Sequence, residues 1–262
     1  MKLSIITINF NNSFDLAKTI KSVVEQEWQD FEYLIVDGGS SDKSVEVIRE
    51  YQSNIAYWVS EPDNGIYNAM NKGVIKAQGE YLLMLNSGDV LCDSKALTRV
   101  FAHSCKEDII AADVYRAMNG SVFEESHFPD YVTFGYFITG MLSHQATFIK
   151  RTAHDIVGLY DEQLKYVSDW KFLVLAICRH NLTYKHIPCF VATCDCSGLT
   201  CIPANFMAME AERRATLKQY FPAFLADYDE FEFMRSKAFK QRFSKAFSNT
   251  KSYLKKILQI GS

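Results

Sequence analysis

The strongest constraint in this chain is a repeated event in its first ninety residues: an apolar run stops abruptly at a polar cluster. Residues 2–9 end at Asn9, Asn11 and Asn12, and residues 31–36 stop at Asp37-Gly38-Gly39-Ser40-Ser41-Asp42. Residues 55–59 lead to Asp63, and residues 80–85 stop at Asn86-Ser87-Gly88-Asp89. Short β-branched and aromatic runs bounded by such clusters read as strands. Helical spacing fills the gaps. Ser13 can cap a helix carrying Leu16, Ile20, Val23 and Val24, and Ser41 or Asp42 can cap one carrying Val45 and Ile48. Residues 64–77 place Ile66, Met70 and Val74 on one stripe. Strands alternating with helices predict an α/β fold with right-handed crossovers and a mostly parallel central sheet. In such sheets ligands bind beyond the carboxyl ends of the strands, where these polar groups fall. One cluster would be a cap or a turn; four at successive strand ends point to a site.

The second half is less regular. Strands are expected at residues 108–114, 120–123, 145–149, 182–187 and 189–194, and helices at 151–157, 169–178 and 204–220. Residues 128–141 read as an aromatic loop, in which residues 131–137 either stack on the ring of a ligand or pack in the core. The 262 residues are 48% hydrophobic and 23% charged, enough for a full core and too apolar for disorder. No apolar stretch reaches the ~18 residues of a spanning helix. Residues 1–8 meet Asn9 too soon for a signal-peptide core, so a cytoplasmic-side protein is expected. Seven cysteines without a CxxC pair read as reduced thiols.

Gly88 leaves Asp89 unobstructed for a divalent cation, which takes oxygen ligands and accepts part of its shell from a diphosphate. There is no GxGxxG and no Walker A sequence, which argues against nicotinamide and P-loop chemistry.

Four segments carry a resemblance in order and spacing: residues 4–11, residues 32–42, residues 60–73 and residues 79–89. They resemble the family 2 glycosyltransferases with the GT-A fold, most of all the bacterial branch that builds capsule, colanic-acid-like exopolysaccharide or O-antigen. The likeness runs over residues 1–200. It implies a GT-A domain at 1–224, with a nucleotide-binding half at 1–90 and an acceptor half at 91–224, followed by a tail at 225–262. By this resemblance Thr7, Ile8, Asn9, Asn11 and Asp37 hold the base and ribose, Asp37 accepting from uracil N3–H if the donor is a UDP-sugar. Asp63, Lys72 and Gly88 lie along the nucleotide, and Asp89 matches the last carboxylate of the Asp-x-Asp element that holds Mn²⁺ or Mg²⁺. Asn86 and Gly88 stand where carboxylates are common in the family.

His144 and Gln145 resemble the family's His-Gln segment near donor sugar and acceptor; His144 either takes part there or pairs with a backbone carbonyl. Asp169 matches the catalytic base, with Ser168 in place of the usual Glu and Trp170 beside it on the acceptor and donor-sugar side; the plainer reading of Asp169 is a helix cap. Ser197 and Gly198 match the Gly-Gly-x-Ser loop that closes over the site, Ser197 replacing its first glycine. The implied reaction is an inverting sugar transfer from a nucleotide-sugar to a glycan, lipid-linked in this branch. A nucleotide-sugar-binding protein without turnover is the rival. A nucleotidyltransferase would want a Gly-rich basic loop that residues 9–13 do not form.

Residues 233–262 carry eight basic residues and no acid, leaving 20 basic against 31 acidic residues before them. Phe239, Phe243 and Phe247, then Leu254, Ile257 and Leu258, alternate with Lys237, Lys240, Arg242, Lys245 and Lys251. Such a cationic amphipathic helix suits either the anionic inner face of the plasma membrane or the protein's own acidic body. With an acidic body and no known module, nucleic acid is not expected as a partner. If the tail meets the membrane, deleting residues 233–262 moves the protein to the soluble fraction on cell fractionation; unchanged membrane association would remove the idea.

Overall fold

The computed structural model describes residues 1–234 except Asn119, Leu199, Thr200 and Glu232. The helix expected from the tail therefore lies outside the described residues beyond Met234. The chain divides into two compact units, the first being Met1–Arg213. In the second, Arg214 pairs with Asp229 at 2.7 Å.

The first unit is built on one sheet. Strand β1 (Leu3–Asn9) is buried along its whole length, which explains its unbroken apolar character. It pairs in parallel with β2 (Phe31–Asp37) on one side and with β4 (Tyr81–Met84) on the other, while β3 (Tyr57–Ser60) adds in parallel to β2. The remaining strands are β5 (Val90–Leu91), β6 (Ile109–Met118), β7 (Ser121–Ser126), β8 (Thr147–Lys150) and β9 (Tyr184–Asp195). Their order is β3-β2-β1-β4-β8-β6-β9-β5, with β7 on β6.

This is a GT-A-like α/β sheet, but a mixed one. Strand β8 runs antiparallel to both β4 and β6, and β5 and β7 are antiparallel to their neighbours. The expectation of a mostly parallel sheet holds for β1–β4 and for β6 with β9. Two strands were expected where β9 runs as one. Its pairing with β6 slips around Asp113, opposite the stretch that contains Pro188, because proline has no N–H for the ladder.

Helix α1 (Ser13–Val24) buries Leu16, Ile20 and Val23, the stripe read from the sequence. Helix α2 (Ser44–Glu50) starts where Asp42 accepts from the Ser44 N–H, and the same carboxylate accepts from the Ser13 N–H. These bonds outweigh what little burial raises and hold Asp42 at a pKa of about 2. Helix α3 (Ile66–Lys76) is rotated from expectation: Ile66 is exposed, and Tyr67, Met70, Asn71 and Val74 face inward.

Helix α4 (Ala96–Phe101), like β5, was too short to be seen in the periodicity. The aromatic stretch expected as loop contains α5 (Phe134–Thr139), capped by Thr133, with Phe137 fully buried and Tyr131 exposed. Helix α6 is Arg151–Val157. Helix α7 (Ser168–Val174) passes into one turn of π-helix at Leu175–Arg179, and α8 is Phe206–Tyr220.

In α6 the His154 ring lies 4.4 Å from the Phe172 ring and donates from Nδ1 to the Gly158 carbonyl, leaving Nε2 buried without a partner. Burial depresses its pKa to about 4, and the bond to Gly158 only partly opposes that. The unfolded chain takes up this proton near the ordinary imidazole value of about 6.5, whereas the native chain refuses it until lower pH. The stability from neutral His154 is thus whole above that value and is lost as pH falls toward 4. Between pH 7.5 and 5 the wild-type chain should lose about 2 kcal/mol more in urea denaturation than His154→Phe; equal losses would refute the assignment.

Candidate active site

The polar residues at the carboxyl edge fall into two groups. The first centres on Asp37 at the end of β2, fully buried. Its Oδ1 accepts from Asn9 Nδ2 (2.7 Å) and from the Ser40 hydroxyl; its Oδ2 accepts from the Ser40 N–H (2.9 Å) and the Ser60 hydroxyl (2.6 Å). Burial pushes this carboxyl up, but the bonds from Ser40, Ser60 and Asn9 bring it below its ordinary value. Four donors fill the four lone-pair sites of a carboxylate. A uracil N3–H would have to displace one of them.

Asn11 Oδ1 accepts from the Ser41 N–H, and the Asn9 carbonyl accepts from the Gly38 N–H. A side chain at Gly38 would meet Asp63 Oδ2 at 2.4 Å, so glycine there lets Asp63 close onto the loop. Asp63 also accepts from the Gly65 N–H, while Lys72 binds Glu61 (2.8 Å) and the Pro62 carbonyl. Asn9 Oδ1 is buried with no partner, an acceptor left for an incoming donor.

The second group joins Asp89 to Asp169. Asp89 follows β4 after Gly88, whose φ of 107° belongs to the region glycine favours. Its Oδ1 accepts from the Asp195 N–H (2.9 Å) at the end of β9, and its Oδ2 from Gln145 Nε2 (3.1 Å). One lone pair on each oxygen remains. Burial raises Asp89 to about 6; His144 and its hydrogen bonds lower it, and nearby Asp195 adds to the rise.

The residue before Gln145 turns to the other carboxylate. His144 Nδ1 lies 3.1 Å from Asp169 Oδ2, and its Nε2 lies 3.1 Å from Asn86 Nδ2. Tyr67 of α3 donates to Asp169 Oδ1 at 3.0 Å. Burial works against charge on both members of the pair. Even so, the hydrogen bond and opposite charge of Asp169 raise His144, and those of His144, with bonds from the Trp170 N–H and Tyr67, lower Asp169. His144 and Gln145 reach this place because β8 is antiparallel to β4, so the turn of 3₁₀ helix that opens it (His144–Ala146) lies at the carboxyl end of β4.

A divalent cation fits this end of the site. A desolvated carboxylate with spare lone pairs calls for a positive neighbour, and the φ of 107° at Gly88, which a side chain would strain, shapes the turn that presents Asp89 beside Asp195. Among the described residues no three His, Cys, Asp or Glu side chains converge on one point, so Asp89 is the single protein carboxylate offered there for an ion.

Other expected residues land elsewhere. The Thr7 hydroxyl donates to the Leu85 carbonyl inside the sheet and Ile8 is buried, so neither offers a side chain to a nucleotide. Trp170 is fully buried with its N–H on the Phe137 carbonyl, which removes it from the sugar side. Ser197 is exposed and bonds Asp195 through its N–H and hydroxyl, with Gly198 exposed beside it. Ser168, where the family has Glu, accepts from the Asp161 N–H. Three residues escaped sequence reasoning: Tyr67, Asn86 as a partner of His144, and Asp195. Asn68 and Asn71 hold Glu162 from α3.

Comparison with known proteins agrees with this architecture. The model of the family described as Glycosyl transferase family 2 matches residues 4–158, and the chain belongs to that family. An uncharacterized glycosyltransferase of Mycobacterium tuberculosis is 31% identical over 178 residues, covering 66% of this chain and 68% of the relative. A PGL/p-HBAD biosynthesis glycosyltransferase of Mycobacterium bovis is 28% identical over 196 residues, covering 72% and 75%. Among solved structures, S. aureus TarS 1–349 in complex with UDP-GlcNAc superposes with a TM-score of 0.65 at 18% identity, over 84% of this chain and 71% of that one. The mannosyltransferase PcManGT from Pyrobaculum calidifontis, in complex with GDP-Man and Mn²⁺, gives 0.60 at 13% identity, over 86% and 64%. The chain thus spans about two thirds of the length of these relatives.

Replacing Asp37 by Ala strands four donors at once, two from Ser40 on the loop after β2 and one each from Asn9 and Ser60 at the ends of β1 and β3. The expected loss is about 3 kcal/mol in urea denaturation, partly recovered in Asp37→Asn. A loss below about 0.5 kcal/mol would show that water replaces the carboxylate freely.

Proposed function

We propose that this chain is an inverting glycosyltransferase that moves a sugar from a nucleotide-sugar, a UDP-sugar by preference, to a lipid-linked glycan acceptor in bacterial surface polysaccharide synthesis. The reading places it at the inner face of the plasma membrane. No helix among the described residues is long and apolar enough to cross a membrane, so contact there would be peripheral. The observation that carries the proposal is the pairing of two carboxylates with different surroundings, Asp89 and Asp169, held by adjacent residues of one turn. Membership of the family, and the likeness to TarS in complex with UDP-GlcNAc and to PcManGT in complex with GDP-Man and Mn²⁺, support the donor class.

Each group has a task. Asn9, Asn11 and Asp63, with Asp37 fixing their loops, line the end of β1 and β2 for base and ribose. Asp89 would hold a Mn²⁺ or Mg²⁺ ion, which when bound supplies positive charge against a nucleoside diphosphate leaving group. Gln145 and the Asp195 N–H fix the Asp89 carboxylate. Asp169, held by His144 and Tyr67, is the base that takes the acceptor's proton. A single displacement at the anomeric carbon inverts it. Ser197 and Gly198, exposed at the end of β9, belong to the loop assigned to closure over the donor.

The test is a thermal-shift screen of UDP-, GDP- and dTDP-sugars with Mn²⁺, followed by transfer assays on the best donor. A UDP-sugar should stabilise the chain, and Asp89→Ala should abolish both the Mn²⁺-dependent part of that shift and turnover. Full activity in Asp89→Ala would remove the metal role; a shift without turnover in the wild-type chain would favour a binding protein.

A further inference from the structure

Arg213 of α8 carries a guanidinium that has left water without an oxygen to answer it. Its side chain is 12% exposed. Nε is buried with no partner, and Nη2 meets the Met141 sulfur at 3.8 Å. The carboxylate that pairs with it, Glu210 one turn back, lies 3.6 Å from Nη1, beyond hydrogen-bond reach, and is itself 44% exposed. The Trp170 ring, 5.3 Å from the guanidinium carbon, offsets part of the cost through its face. Other arginines are treated differently. Arg99 lies 2.9 Å from Asp93 and 2.8 Å from the Phe190 carbonyl, and Arg214 lies 2.7 Å from Asp229. Arg213 thus holds a planar fork of five N–H donors, mostly desolvated and hydrogen-bonded to no oxygen among the described residues, which is a surface suited to a phosphate.

Its surroundings indicate which phosphate. On one side stands the reacting pair: Trp170 directly follows Asp169, and Met141 stands three residues before His144, so the guanidinium rests on residues that adjoin the carboxylate and the imidazole. On the other side the surface is apolar. Phe206, Glu210 and Arg213 follow at i, i+4 and i+7 on one face of α8, and Phe206 and Met207, with Ile202 just before the helix, are exposed. We propose that Arg213 binds the phosphate of an acceptor whose sugar reaches Asp169 and whose hydrocarbon chain lies along Phe206 and Met207. The proposal rests on the glycosyl-transfer reading and deepens it by naming the acceptor's chemistry, a sugar joined through phosphate to a lipid. Sugar hydroxyl, phosphate and hydrocarbon then meet, in that order, a carboxylate base, a guanidinium and an apolar helix end. The donor's diphosphate is assigned to Asp89, so the two phosphates have separate partners. Glu210 holds the guanidinium loosely until the phosphate arrives and then turns into water, where it is already half placed.

Calorimetric titration of the full-length chain with farnesyl diphosphate tests this, with EDTA present so that no divalent ion recruits the probe to Asp89. Inorganic pyrophosphate and farnesol serve as the phosphate-only and chain-only probes. Farnesyl diphosphate should bind at least about tenfold more tightly than either, since it alone offers both parts. Arg213→Gln should weaken that binding by about 10–100-fold, the worth of hydrogen bonds to a charged group. Glu210→Gln removes the competing carboxylate and should tighten it by about two- to fivefold; it also decides the matter if Arg213→Gln does not fold. Equal affinities in wild type and Arg213→Gln overturn the assignment, as does a wild-type chain that binds no farnesyl diphosphate or a Glu210→Gln variant that binds it no better. Inorganic pyrophosphate bound as tightly as farnesyl diphosphate overturns the lipid part, because a free phosphate would then suffice. The transfer reading fails separately: a chain that holds farnesyl diphosphate through Arg213 yet turns over no nucleotide-sugar in the donor screen keeps the phosphate site and loses the reaction.

Discussion

The working edge of this protein depends on keeping carboxylates ionised where water has been removed. Burial alone raises such a group, and each of Asp37, Asp89 and Asp169 meets that penalty differently. Asp37 is saturated by four protein donors and becomes a fixed joint between the ends of β1 and β3 and the loop after β2. Asp169 is compensated by an imidazole and a phenol. Asp89 receives one donor per oxygen and remains the least compensated, which is the condition in which a cation gains most by binding. The chemistry each can perform follows from how much of its demand the fold leaves unmet.

The single antiparallel strand inside the sheet makes the second and third cases possible. Residues that precede a strand lie at the amino end of that strand. Because β8 runs against β4, its amino end is β4's carboxyl end. A parallel strand in that position would carry His144 and Gln145 to the opposite edge, far from Asn86 and Asp89. The mixed topology is thus the reason two consecutive side chains can hold both carboxylates, and it brings Asp195 to the same edge through β9, parallel to β6.

Much of this was legible in the sequence. The apolar runs of β1, β2 and β4 and the polar residues at their ends appear where the residue types place them. Strand direction did not, because period-two alternation and buried runs read the same both ways; that is why the mixed sheet was expected as mostly parallel. Helix α3 was read with Ile66 inward, one position from the buried Tyr67, because apolar spacing cannot register a phenol and two amides used as internal partners. Tyr67, Asn86 and Asp195 were missed for a related reason. Their partners lie 102, 58 and 106 residues away, and nothing local marks a residue whose role is to hold another.

Trp170 shows the converse. The resemblance puts it beside Asp169 on the sugar side, yet it is fully buried, with its N–H on the Phe137 carbonyl and the Arg213 guanidinium over its ring. It fixes the first turn of α7 in the core, and Asp169, its neighbour, is thereby held at the surface of that core with one face toward His144. A helix anchored by a buried indole loses little freedom when a ligand arrives, so the carboxylate–imidazole pair is set before any donor or acceptor binds. The segment that carries Ser197 and Gly198 is tied by bonds to Asp195, by the Cys196 N–H on the Ala117 carbonyl and by the Cys201 N–H on the Gly198 carbonyl, with Ser197 and Gly198 themselves exposed. The site therefore joins a buried carboxylate–imidazole pair to a rim on which Ser197 and Gly198 are exposed.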